Sequence, residues 1–134
     1  MKRLLSLFIA AGFLFAFTPT DDVTVTGTLV DTKCYGEMPD VNKTNDHMVP
    51  MENGEMAKIP NCATACANMG IPAAVATNNG KTVTIIAPAG QLAEHMGKEV
   101  RIAGKVAFEG NLIPKKVEVR DGRQWKTVNI TFMM

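Results

Sequence analysis

Alternating apolar and polar residues predict strands along most of this 134-residue chain. The first predicted strand, 23–30, begins Val-Thr-Val-Thr, and Gly27 within it indicates a bend or a bulge. Further strands flank the tight-turn sequences Asn-Asn-Gly and Asp-Gly, as expected for hairpins. These later strands are predicted at 73–77, 82–87, 98–107, 112–120 and 124–132.

Two short helices interrupt the strand pattern. The first is predicted over 62–69, after the helix-capping residue Asn61 and before a glycine, and the second over 91–96. Residues 34–61 show no period and contain four methionines and a histidine, so they are predicted to form a long loop. A loop of this length in a small domain is usually functional or disordered.

The order of these elements predicts the fold class. Five strands with a helix between the third and the fourth are typical of the OB barrel. We therefore expect a mainly β fold: a small OB-like barrel of five to six strands, with one or two short helices and the long loop after strand 1. This fold class supports many functions and does not select one.

The N-terminus has the layout of an export signal. Lys2 and Arg3 precede an apolar run over 4–17, which as a helix would be about 21 Å long, short of the roughly 30 Å core of a bilayer. We predict a signal peptide over 1–20 and a single OB-like domain over 21–134. The mature protein would be exported, either periplasmic or secreted, with no stable membrane insertion after cleavage.

Charge and aromatic content argue against a nucleic-acid partner. Without Lys2 and Arg3, the chain has 12 basic residues against 13 acidic ones, which gives no basic surface for a polyanion. The aromatic residues beyond the signal are few, which leaves little for stacking on bases. They are Tyr35, Phe108, Trp125 and Phe132.

Three cysteines and one histidine form the candidate site. Cys62 and Cys66 are spaced i and i+4 on the predicted helix, so both sulfurs lie on one face, one turn apart, and a bond between them would be strained. A third partner suits them better, either a metal ion or Cys34. With His47, the three thiolates form a normal ligand set for zinc and also suit Cu(I). No carboxylate lies at ligand spacing to serve as a general base, so we predict binding rather than catalysis.

The long loop also offers soft thioether ligands. A methionine next to His47 would favour copper, and a loop methionine could replace the histidine as fourth ligand. The alternative is that the methionines cover a barrel end as flexible apolar residues. The four are Met38, Met48, Met51 and Met56. His95, near the end of the second helix, is not counted as a ligand.

Two other functions stay open at this point. A disulfide from Cys34 to Cys62 or Cys66 would close a loop of about 28 to 32 residues and contribute roughly 3.5 kcal/mol to the stability of the fold. The protein would then be a disulfide-stabilised interaction module with one spare thiol. It would bind an unknown protein partner. In a thiol–disulfide redox protein, Cys62 would attack and Cys66 or Cys34 would resolve.

The pattern of these residues resembles a group of small secreted bacterial proteins with an OB-like barrel. Their pattern is D-x-x-C, then a histidine, then C-x3-C, followed by a hairpin and a G-K-x-V-x-I-x-G strand. The matching segments are 27–34, His47, 62–66, 70–72, 79–81 and 97–106. The resemblance implies fold and export, and it implies no particular activity.

Overall fold

Six antiparallel strands form the main sheet in the computed structural model, which describes residues 22–131. Their order is β5-β4-β1-β6-β7-β8, while β2 and β3 form a separate two-stranded hairpin. The strands are β1 Val23–Asp31, β2 His47–Pro50, β3 Met56–Ile59, β4 Ala73–Thr77, β5 Thr82–Thr84, β6 Glu99–Val106, β7 Leu112–Asp121 and β8 Gln124–Val128.

The helices are short, and with the sheet they confirm the predicted mainly β class. They are α1 Cys34–Glu37, α2 Cys62–Asn68, and two 3₁₀ segments, Ala89–His95 and Phe108–Gly110. Within residues 22–131, none of the helices has the length and apolar character needed to span a bilayer. The predicted signal peptide over 1–20 lies outside the described residues.

The main sheet curves back on itself only locally, at the start of β7. Ile85, just after β5, forms an isolated parallel bridge with Leu112 of β7, and the Ile86 N–H donates to the Leu112 carbonyl at 2.9 Å. No continuous ladder joins the two edges among the described residues, so a closed barrel is not found and the OB-like fold is not confirmed.

Two glycines allow neighbouring strands to approach closely. A Cβ on Gly27 would collide with the carbonyl oxygen of Ala76 on β4, and one on Gly104 would collide with that of Ile113 on β7. The ladder between β6 and β7 also shifts register between Ala103 and Gly104. The bulge therefore forms at Gly104, whereas Gly27 allows β1 and β4 to lie close together.

Two apolar clusters hold the site-bearing helices against the sheet. The main core includes Leu29 of β1 and Ile102 of β6, with Ala63 and Ala67 of α2 buried against it. A smaller cluster packs Tyr35 of α1 with Val30, Ala74 and Ala76. Because α1 and α2 each bury an apolar side chain next to a cysteine, packing fixes where the thiols lie.

The segment 34–61 is more structured than a long loop, since it contains α1 and the β2–β3 hairpin. The buried Asn42 side chain connects the two. Its amide donates to the carbonyls of Cys34 at 3.1 Å and Met48 at 3.2 Å, and its oxygen accepts the Met48 N–H at 2.8 Å. These polar bonds order the segment. Because they need no periodic apolar residues, the hydrophobic pattern of the sequence did not reveal α1 or the hairpin.

Candidate metal centre

The four predicted site residues converge from three segments of the chain. Cys34 begins α1, His47 begins β2, and Cys62 begins α2 with Cys66 one turn further along. Ligand atoms of Cys34, His47 and Cys62 all lie within 4.8 Å of one another. The same holds for Asp31, Cys34 and Cys66, so Cys34 joins the two groups into one cluster of five residues.

All three cysteines lie within the described residues, and none forms a disulfide. Cys66 is buried, whereas Cys34 and Cys62 are half-buried. Solvent therefore reaches the cluster from the side of Cys34 and Cys62.

The turn after β1 sets the position of Cys34. The Asp31 Oδ1 accepts the backbone N–H groups of Lys33 at 3.0 Å and Cys34 at 2.8 Å. An aspartate that binds backbone N–H groups two and three residues ahead folds the chain into a tight turn. The turn therefore fixes the position of Cys34 relative to the end of β1.

The start of α2 is capped from the long segment. Asn61 precedes the helix with φ of 54°, but its side chain makes no capping bond. Asn45 replaces it: its carbonyl accepts the Ala63 N–H at 3.0 Å, and its Oδ1 accepts the Thr64 N–H at 2.9 Å. Since Asn45 lies two residues before His47, the same contact aligns the histidine with the helix that carries Cys62 and Cys66.

His47 supplies the most unusual environment in the cluster. Its side chain is fully buried, and neither ring nitrogen has a hydrogen-bond partner within residues 22–131. The Oδ2 of the equally buried Asp31 also lacks one, and it lies 3.5 Å from the His47 Nε2. Buried polar atoms are nearly always paired, so three unpaired atoms among free thiols indicate a site for a cation.

Burial suppresses ionisation of the thiols. Desolvation raises the pKa of Cys34 to about 12, with further increases from the negative charge of Asp31 and from the other two cysteines. Desolvation is also the largest cause of the raised pKa of Cys66. Without a bound cation both residues are therefore thiols at neutral pH, and a cation is needed to stabilise their thiolates.

Asp31 is the site residue that sequence reasoning missed. We expected no carboxylate at ligand spacing, whereas Asp31 lies three residues before Cys34 with an oxygen inside the cluster. The signal was present in the D-x-x-C spacing, because an aspartate at a strand end commonly turns back onto the next N–H groups.

Two of the four loop methionines and the second histidine lie away from the cluster. Met51 and Met56 are exposed at the tip of the hairpin, whereas His47 pairs with Ile59 at its base. Three residues of strand, about 10 Å, separate the tip from the base. His95 belongs to neither ligand group and lies in a 3₁₀ segment beside the exposed Glu94.

Compared with known proteins, the chain matches no family model, and no curated protein or solved structure is significantly similar to it. The resemblance to small secreted bacterial proteins thus stays a prediction.

Proposed function

We propose that this chain is an exported, OB-like module that binds one metal ion, zinc or Cu(I), through Cys34, His47, Cys62 and Cys66. One observation supports this above all: the free thiols of Cys34 and Cys62 lie beside a fully buried histidine whose ring nitrogens have no hydrogen-bond partner among the described residues, and Cys66 lies with Asp31 next to Cys34. A cation bound there would take up the imidazole lone pair and the thiolate charges together.

A metal ion accounts for the cluster better than a disulfide does. A bond between Cys34 and either of the other cysteines would leave His47 and the Asp31 Oδ2 buried and unpaired. An unpaired buried polar group costs about 1 to 3 kcal/mol. The raised pKa values of Cys34 and Cys66 also disfavour the resolving step of a redox reaction, because the thiolate is the nucleophile in thiol–disulfide exchange.

The ligand set narrows the choice of ion. Three thiolates and one imidazole complete a tetrahedral zinc site, and thiolates also bind Cu(I) well. Met51 and Met56 are too far along the hairpin to add thioethers, which removes two of the four methionines that would favour copper. Zinc is therefore the first ion to test.

The strand order supports the OB-like part of the proposal. The central strand β1 pairs with both β4 and β6, and a 3₁₀ helix separates β5 from β6. The single parallel bridge from Ile85 to Leu112 lies where an OB barrel would close. Export is proposed from the N-terminal sequence alone.

The test is to purify the mature protein without added metal and measure metal content and free thiols on one sample. We expect about one zinc or copper per chain, with three thiols reacting only after chelation and denaturation. His47→Gln should lose the ion, while His95→Gln, the matched control, should keep it. No metal and a single free thiol would overturn the proposal in favour of a disulfide module.

A further inference from the structure

We propose that Asp31 is a positioning residue of this centre: it accepts the Nε2–H of His47 and so leaves Nδ1 as the nitrogen that binds the metal ion. The inference rests on the proposed function, since it assigns a role within the same site. Asp31 is then a fifth residue of the site, which acts on the ion through His47.

Both partners are held by the backbone around them. The Oδ1 of Asp31 is fixed by two N–H groups, so its Oδ2 has a defined direction. His47 is fixed by the hairpin ladder to Ile59 and by the bonds between Asn42 and Met48 next to it. The 3.5 Å from Nε2 to Oδ2 is slightly longer than an ordinary hydrogen bond, and we expect it to shorten when the ion binds.

A metal-binding imidazole needs an acceptor on its other side. It binds the ion through one nitrogen and keeps a proton on the other, and a carboxylate there fixes the tautomer and strengthens the donor. In the described part of the chain, Asp31 is the acidic group within ion-pair distance of His47. Neither Lys nor Arg pairs with Asp31 there, so His47 is also its charge partner.

Direct coordination by Asp31 is less favourable than this role. Three thiolates and one imidazole already fill four positions, the usual number for structural zinc. A carboxylate is also a harder ligand than the sulfurs around it. Binding to the ion would leave the Nε2–H of His47 buried without an acceptor, which the positioning role avoids.

The test compares Asp31→Asn with the wild-type protein, using zinc alone as the probe in competition with a chromophoric chelator. Asparagine keeps an oxygen to accept the Lys33 and Cys34 N–H groups and replaces the anionic Oδ2 with a donor. We expect one zinc per chain in both proteins and a roughly 10- to 100-fold weaker affinity in the variant. Glu94→Gln is the control, because Glu94 also lies 3.5 Å from a histidine nitrogen but is exposed.

A second measurement does not depend on the variant folding. Long-range ¹⁵N–¹H correlation spectra of the zinc-loaded wild-type protein show which ring nitrogen of His47 carries the proton. Protonated Nε2 with metal-bound Nδ1 supports the proposal, and metal-bound Nε2 overturns it.

The outcomes separate the two proposals. If wild type binds no zinc, the proposed function fails. If wild type binds zinc but Asp31→Asn has unchanged affinity, only the positioning role fails. Loss of zinc stoichiometry in a folded Asp31→Asn protein would make Asp31 a ligand and would also overturn the positioning role.

Discussion

The Nε2 of His47 lies 3.5 Å from the Oδ2 of Asp31, and both side chains are fully buried. Asp31 ends β1 of the main sheet, whereas His47 begins β2 of the separate hairpin. Among the described residues, the His47 ring nitrogens and the Asp31 Oδ2 have no hydrogen-bond partner, which is unfavourable inside a protein. Their position beside three free thiols is the physical reason to infer a bound cation.

Removing the shared ligand should affect metal binding most. Cys34 belongs to both ligand groups, so we expect Cys34→Ser to weaken zinc affinity by more than about 100-fold, beyond the usual effect of an outer-shell partner. Chelator competition measures this affinity. Met51→Leu at the hairpin tip serves as the control, and a comparable loss there would mean that the thioethers bind the ion.

Zinc affinity should rise with pH. The pKa of Cys34 is raised to about 12, mainly by burial, so at neutral pH this thiol is protonated and zinc must displace its proton. Each displaced proton makes the affinity increase roughly tenfold per pH unit below the thiol pKa. Titration calorimetry in buffers of different ionisation enthalpy counts the protons released. An affinity that is constant between about pH 6 and pH 8 would contradict thiolate ligation.

The cap of α2 should support both stability and the site. Asn45→Ala removes the acceptor of the Thr64 N–H, and we expect the free energy of unfolding to fall by about 1 kcal/mol. Urea denaturation measures the loss, and weaker zinc binding should accompany it, because the cap aligns His47 with α2. Asn68→Ala, at the exposed last residue of α2, is the control. Asn61 is unsuitable because its Oδ1 accepts the Asn45 Nδ2–H at 3.1 Å. Equal losses in the two variants would disprove the capping role of Asn45.

Acid should destabilise the sheet through Glu118. Hydrogen bonds from Arg101 and Lys116 lower the pKa of this carboxyl to about 2. A lowered folded-state pKa adds stability above the unfolded value of about 4.3, and this contribution disappears as the pH falls toward about 2.

Glu118→Gln should therefore reduce the loss of stability between about pH 5 and pH 2. Urea denaturation of the metal-free protein at several pH values in this window tests the effect, and the exposed Glu99→Gln serves as the control. An unchanged acid dependence in Glu118→Gln would show that the ion pairs do not couple to folding.

Close strand contact at Gly27 should make this position intolerant of any side chain. A methyl group there meets the backbone of Ala76, which cannot move without breaking the β1–β4 ladder. We expect Gly27→Ala to lower stability by about 1 to 3 kcal/mol or more, measured by thermal unfolding. Gly36 has open space and lies within α1, so Gly36→Ala should be neutral or stabilising. A stable Gly27→Ala protein would mean that the strands separate more easily than their packing suggests.

Local patterns in the sequence determined most of the elements of this protein. The two-residue period of Val23–Asp31 and the Asn-Gly turn depend on neighbouring residues, so they can be read along the chain. The i, i+4 spacing of Cys62 and Cys66 likewise places both sulfurs on one face of α2, because the helical repeat alone fixes that relationship.

Only the tertiary structure decided how these pieces form a site. Asp31 enters the cluster because β1 ends beside α2, and Asn45 caps a helix that begins 17 residues later. The β2–β3 hairpin depends on buried polar bonds of Asn42, which leave no apolar period in the sequence. Contacts of this kind join residues far apart in the chain, and burial selects them only when the whole domain packs.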